Sequence, residues 1–456
     1  MRRILAIASI ALRTAVRSRV VVILLGLLLL AIVGLPATVK SDGTLAGRVQ
    51  ILLTYTLAAV STILSVATVW AGCAAVATEV QEKQLHLILT KPVRRVEVWL
   101  GKWLGLLALN GGLLVVCGVA IYAGLWWHTR PGTLTAEEQR RLGEEILVAR
   151  REVLPEPLDV TAPAQQILAE QQKRGAVPAG RPVEQVLAAI QDSLRQAAFT
   201  VPTGYKRMWT FKLPALPTGE QPVVLRYKLA SSQIAGALVD GLWLVGPADS
   251  AERVEIRVTN AAQGVHSVTI PVAALRGSRE VVVEYANINP VPLAVLFDPQ
   301  DGLALLVFEG TFVGNFVRGI LVVFLQLAFL AALAVSAGTL MSLPVAALVT
   351  GYVVLLIQVG EHVQRLSQER GTFMGGTQGT GGTMLDQVLR FVLWLESAVV
   401  QPLQGPSVLE YLAGGKLISW GWVGWELVIK VALYAGMLAA LTTFFFNRRE
   451  VALPTQ

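Results

Sequence analysis

Apolar residues fall along this chain in long unbroken blocks. Val20–Ala37, Ile51–Thr78, Trp103–Trp126, Phe316–Leu340, Val345–Gly360 and Val423–Phe446 are the main ones. Each approaches or exceeds the ~20 residues that cross ~30 Å of hydrocarbon, so they predict about six spans. Residues 2–17 read differently. At ~100° per residue, Arg2, Arg3, Arg13 and Arg17 share one side, and Ile4, Leu5, Ala8, Leu12 and Val16 share the other. That pattern predicts a helix lying in the membrane interface. A cleaved signal peptide is the competing reading, but Leu35-Pro36-Ala37-Thr38 makes a poor small-residue cleavage site.

Between the third and fourth blocks the pattern changes. Thr135–Arg151 and Val183–Ala198 have helical patterning with many charges, and Pro155, Pro157, Pro163, Pro178 and Pro182 interrupt the region. From about Met208 the period becomes two. "PVVLRYKL", "RVEIRVTN", "HSVTIPV" and "REVVVEYAN" predict short strands of a small β-sandwich. The expected fold is an α-helical polytopic membrane protein with an inserted extracytoplasmic α+β domain. The membrane parts are 1–127 and 316–456, and the insert is 128–315, helical over 134–200 and β-sandwich over about 208–295. After the fifth span, 361–420 reads as an external segment with a Gly-rich loop, Gly371–Gly382, and an apolar interfacial helix, Met384–Val400. Trp126 with Trp127, and Trp420 with Trp422 and Trp425, are expected interfacial anchors.

Composition agrees. A hydrophobic fraction of 54% with only 15% charged residues and a mean hydropathy of +0.58 belong to an integral membrane protein. The net charge of +7 does not point to nucleic acid, because Arg17, Arg19, Lys91, Arg94, Arg95, Lys102, Arg448 and Arg449 flank apolar blocks. They act as orientation charge and place both termini in the cytoplasm, with 128–315 outside. The two cysteines, Cys73 and Cys117, lie inside apolar blocks and imply no disulfide framework.

Candidate chemistry is sparse. Gly414-Gly415-Lys416 is followed by Leu417, and Glu410 stands where a Walker A glycine belongs, so the chain has no P-loop. His86, His128, His266 and His362 lack metal-ligand spacing. No nucleophile–base or paired-carboxylate constellation stands out, which leaves an enzyme reading without residues.

The charged stretch from Glu79 to Lys102, wedged between the second and third spans, is the exception. It includes "EKQLHLILTKPVRRVEVWLGKWLG". Leu85, Ile88 and Leu89 fall at i, i+3, i+4, one face of a short helix that Lys91-Pro92 stops. This stretch resembles the coupling segment of ABC-2-type transporter permeases. Residues 7–36 are similar to that family's amphipathic first helix and first span, and 430–451 to its last span and basic exit. The resemblance covers roughly 1–126 and 303–456 and leaves the insert unexplained.

The resemblance implies that the segment docks in a groove of a separate P-loop ATPase. Leu85, Ile88 and Leu89 would be the apolar insert, and Glu79, Glu82 and Lys83 the rim contacts. Pro92 and Gly101 would shape the turn into the third span, beside the cytoplasmic markers Arg94 and Arg95. It further implies a second permease subunit, in a homo- or heterodimer, in lipid of a bacterial plasma membrane. No cofactor would be bound by this chain, with ATP and magnesium held by the ATPase. Export is the direction the resemblance favours. The rival reading is a membrane-anchored binding or scaffolding protein whose β domain recruits an extracytoplasmic partner without transport.

Four polar residues fall inside spans. Glu426 and Lys430, one turn apart beside the tryptophan belt, read as a snorkelled i,i+4 pair. Gln326 and Gln358 read as lining a pathway or bonding between helices.

Overall fold

The structure is a computed structural model. It describes residues 1–38, 45–81, 93–129, 147–175, 183–214, 222–232, 238–248, 253–262, 264–275, 278–299, 302–369, 403 and 407–448. The coupling helix (within 82–92), the Gly-rich loop and the helix expected over 384–400 lie outside these residues. The chain divides into two compact units, one of Met1–Ile146 with Phe312–Gln456 and one of Leu147–Thr311.

The first unit opens with α1 (Arg2–Arg17), α2 (Arg19–Thr38), α3 (Leu45–Gln81) and α4 (Arg95–His128). Ser18, extended at φ −74° and ψ 138°, separates α1 from α2. None of α1 is buried, yet the helix lies along α4. It can come close because α4 presents glycines: a Cβ at Gly101 would meet Ile7 Cβ at 2.6 Å, and one at Gly105 would meet Ala11 Cβ at 2.8 Å. At 37 and 34 residues, α3 and α4 exceed the ~20 residues that hydrocarbon requires.

In the second unit the expected helix over 135–151 is corrected where it is described. Val148–Val153 is a strand, β1. It pairs antiparallel with Leu303–Thr311, a partner some 150 residues away that local periodicity cannot reveal. Two helices follow, α5 (Thr161–Lys173) and α6 (Val183–Ala198). Then come β2 (Thr200–Val201), β3 (Lys206–Lys212), β4 (Val223–Ser231), β5 (Leu238–Pro247), β6 (Val254–Ala261), β7 (Gly264–Ile270), β8 (Glu280–Asn287), β9 (Val295–Phe297) and β10 (Leu303–Thr311).

They form a six-stranded sheet ordered β1-β10-β4-β9-β2, with β7 also on β4, and a four-stranded sheet ordered β3-β8-β5-β6. The sandwich is therefore wider than the alternating segments alone suggested, because β1 and β10 join it. Its core is aromatic: Trp243 lies 4.9 Å from Tyr227 and 4.7 Å from Tyr285, ring centre to ring centre. Burying rings of this size contributes roughly 1.5–3 kcal/mol each. Gly241 makes room for one of them, since a Cβ there would sit 2.3 Å from the Tyr285 ring. The buried Asn287 amide donates to the carbonyls of Val201 at 2.9 Å and Leu293 at 2.7 Å, tying β8 to β2 and to the loop before β9.

The chain returns to the first unit as α7 (Phe312–Leu340) and α8 (Leu343–Glu369). After α9 (Val408–Ala413) comes α10 (Trp420–Glu426), then a π-helical segment, Leu427–Ala435, and α11 (Gly436–Arg448). Among the described residues five helices are long and apolar enough to cross a membrane, and Leu343–Ile357 of α8 is a shorter apolar stretch. The unit packs through small residues, as helices do where lipid is as apolar as leucine. α7 is the most buried of them: a Cβ at Gly72 would reach Ala334 Cβ at 2.5 Å, and one at Gly338 would reach the Cys73 carbonyl at 2.4 Å.

Candidate functional site: the junction at the ends of residues 82–92

Helices α3 and α4 run up to residues 82–92 from either side, and their ends are fastened together. Glu79, in the last turn of α3, forms an ion pair with Lys102, in the second turn of α4. The two side chains are only 22% and 10% exposed, so water screens the pair little. Arg94 precedes the first turn of α4, and its backbone N–H donates to Glu97 Oε2 at 2.9 Å. A carboxylate there both satisfies an end-of-helix donor and complements the helix dipole.

The opening turns of α4 are also held by the rest of the unit. The Arg95 guanidinium lies 4.8 Å from the centre of the Phe446 ring near the end of α11. Trp99 stacks on Trp103 with ring centres 5.6 Å apart. The Trp99 indole N–H donates to Ser336 Oγ at 3.2 Å, and that of Trp103 to the Ala328 carbonyl at 2.9 Å, both on α7. Gly101 lies inside α4 against Ile7 of α1, not in the turn before the helix. The junction thus joins α1, α3, α4, α7 and α11.

Of the residues singled out from the sequence, Glu79, Arg94, Arg95 and Gly101 meet here. Glu82, Lys83, Leu85, Ile88, Leu89 and Pro92 lie outside the described residues. Lys102, Trp99, Trp103 and Phe446 are additional members. Lys102 read as an orientation charge, and only its distance from Glu79 shows the pairing.

The intramembrane polar residues lie elsewhere in the unit. Lys430 Nζ and Glu426 Oε2 are 2.6 Å apart, and the Trp422 indole donates to Glu426 Oε1 at 3.1 Å. The expected i,i+4 pairing is present, but the pair does not snorkel: Glu426 is 5% and Lys430 2% exposed. Further along the same span, Ala435 packs against Ala331, Ala332 and Val335 of α7. Gln326 is half-buried on α7, and Gln358 lies in α8. An interhelical bond that sequence reading missed joins Asn110 Nδ2 of α4 to Thr68 Oγ1 of α3 at 2.9 Å. A lone Asn within "LLALNGGLL" was the available signal.

Comparison with known proteins bears on this region. Residues 5–135 match the family model described as ABC-2 family transporter protein. The match spans α1 to α4 and the whole of the Glu79–Lys102 stretch. No curated protein matches the chain.

Proposed function

We propose that this ABC-2-type transporter permease is driven by a separate P-loop ATPase that grips residues 79–102. The observation that carries the proposal is the junction. The segment's two ends are closed by the Glu79–Lys102 pair, and α4 is bonded through Trp99 and Trp103 to α7. Closure of the nucleotide-binding domains would move the segment, and the fastened ends would pass that motion into the spans. Leu85, Ile88 and Leu89 would supply the apolar insert, with Glu82 and Lys83 at its rim and Pro92 ending the helix.

Two permease subunits would work with two ATPase subunits, in the export direction. The termini would be cytoplasmic and 128–315 extracytoplasmic, where the β-sandwich would receive or hand over cargo. Co-purification of the full chain from its own host in mild detergent, with mass spectrometry of what accompanies it, tests the proposal. A P-loop ATPase near equimolar with the permease is expected. Its absence from repeated preparations would favour a scaffold that transports nothing.

A further inference from the structure

The last span changes its helical register part-way. Its buried residues are Val423, Glu426, Lys430, Ala435, Thr442 and Phe446. The steps of three and four between the first three are those of one α-helical face. The next step, from Lys430 to Ala435, is five. In a regular α-helix five residues turn through ~500°, leaving Ala435 about 140° away from Lys430. The π-helical segment Leu427–Ala435 absorbs the extra residue and keeps both buried.

Without that segment the inward positions beyond Lys430 would each shift by one. Tyr434 would replace Ala435 and Phe445 would replace Phe446. The structure shows why the shift matters at both places. Ala435 packs with Ala331, Ala332 and Val335, a seam of small side chains, whereas Tyr434 stands aside with its ring edge-on to Phe329 at 6.0 Å. Phe446 is buried beneath Arg95, whereas Phe445 is 53% exposed. Because Phe444, Phe445 and Phe446 are consecutive, an aromatic ring is available to Arg95 in either register.

We propose that Leu427–Ala435 is a two-register joint that connects the inside of the last span to the coupling junction. In the register seen, the π-helical segment, a rare conformation inside α-helices, is offset by the close Ala435 seam. In the other, regular α-helical bonding is offset by forcing Tyr434 against that seam. The Glu426–Lys430 pair and the Trp422 bond hold the near side of the joint fixed, so the turn of about 100° per residue appears in α11. Phe446 leaves Arg95 and Phe445 takes its place. The use of this joint in transport rests on the coupling reading above, because Arg95 opens the helix that follows the coupling segment.

The test is read on the permease itself, in membranes, with Cys73→Ala and Cys117→Ala as background. Arg95→Cys is combined with Phe446→Cys or with Phe445→Cys and treated with a short bis-methanethiosulfonate. Both pairs are expected to cross-link in the parent. Deleting Ala432 removes the extra residue, so the 95–446 product should remain and the 95–445 product should vanish. Tyr434→Ala, which removes the bulk that opposes the second register, should raise the 95–445 product severalfold relative to 95–446. It decides the matter alone if the deletion does not accumulate. Absence of the 95–445 product from both the parent and Tyr434→Ala, or its persistence after the deletion, would overturn the proposal. Failure of an ATPase to co-purify would sink the coupling reading and leave these products unchanged.

Discussion

Glu79 and Lys102 form a shielded ion pair across a gap of more than twenty residues in sequence, and so close the ends of the proposed coupling segment. Such a pair is asymmetric in its energetics. Two partners together add little, whereas one partner left alone in a shielded place is costly. Lys102→Met should therefore destabilise the detergent-solubilised protein by on the order of 3 kcal/mol, and Glu79→Gln with Lys102→Met should recover most of it. Thermal unfolding followed by tryptophan fluorescence reads both. Equal losses in the single and double variants would show that the pair holds nothing.

Gly101 and Gly105 allow α1 to approach α4. Gly101→Leu should lift α1 from α4, at a cost of roughly 1–3 kcal/mol for overpacking. Limited trypsin digestion should then cut faster at Arg13 or Arg17. An unchanged digestion rate would mean that α1 does not depend on this contact.

The sandwich should be sensitive to alkali. Burial raises the pKa of Tyr285, and of Tyr227, above the ordinary tyrosine value. A group whose folded pKa is raised contributes stability that is fully present below its unfolded value and is lost as pH rises towards its folded value. The excised 147–311 fragment should therefore weaken above about pH 10. The Tyr285 hydroxyl is buried with no hydrogen-bond partner among the described residues. Tyr285→Phe should thus stabilise the fragment by about 1 kcal/mol at neutral pH and flatten the alkaline loss. Urea titrations at pH 7 and pH 11 measure both effects, and an unaltered pH dependence in Tyr285→Phe would contradict the assignment.

The parts legible in the sequence were those set by local chemistry. Apolar blocks marked the five described helices long and apolar enough to cross a membrane, alternation marked β4, β6, β7 and β8, and charge set Glu79–Lys102 apart from the apolar blocks on either side. What escaped reading depended on distant partners. β1 carries a charged sequence, VARREV, that patterns as readily as helix, and it becomes a strand because β10 lies beside it. The four-residue spacing of Glu426 and Lys430 announced their pairing, but not their burial, which depends on tertiary packing. The π-helical segment was invisible for the same reason, since only the buried stripe reveals the extra residue.

Topology can be tested at β7. Ser267 is exposed, so Ser267→Cys in a background with Cys73→Ala and Cys117→Ala should react with a membrane-impermeant maleimide from the outer side of intact cells or spheroplasts. Labelling seen only after the inner membrane is permeabilised would place the sandwich in the cytoplasm and reverse the proposed orientation.

In the proposed coupling, residues 79–102 hold the ATPase. Leu85→Asp and Leu89→Asp test it most directly. Each would place an unpaired carboxylate in an apolar contact, at a cost of several kcal/mol, where every ~1.4 kcal/mol weakens binding about tenfold. On a merely solvated loop the same change costs within about 0.5 kcal/mol. Expression level and ATPase co-purification are measured side by side. Normal expression with the ATPase lost is the predicted result. Both variants expressing normally and retaining the ATPase at wild-type stoichiometry would contradict the account.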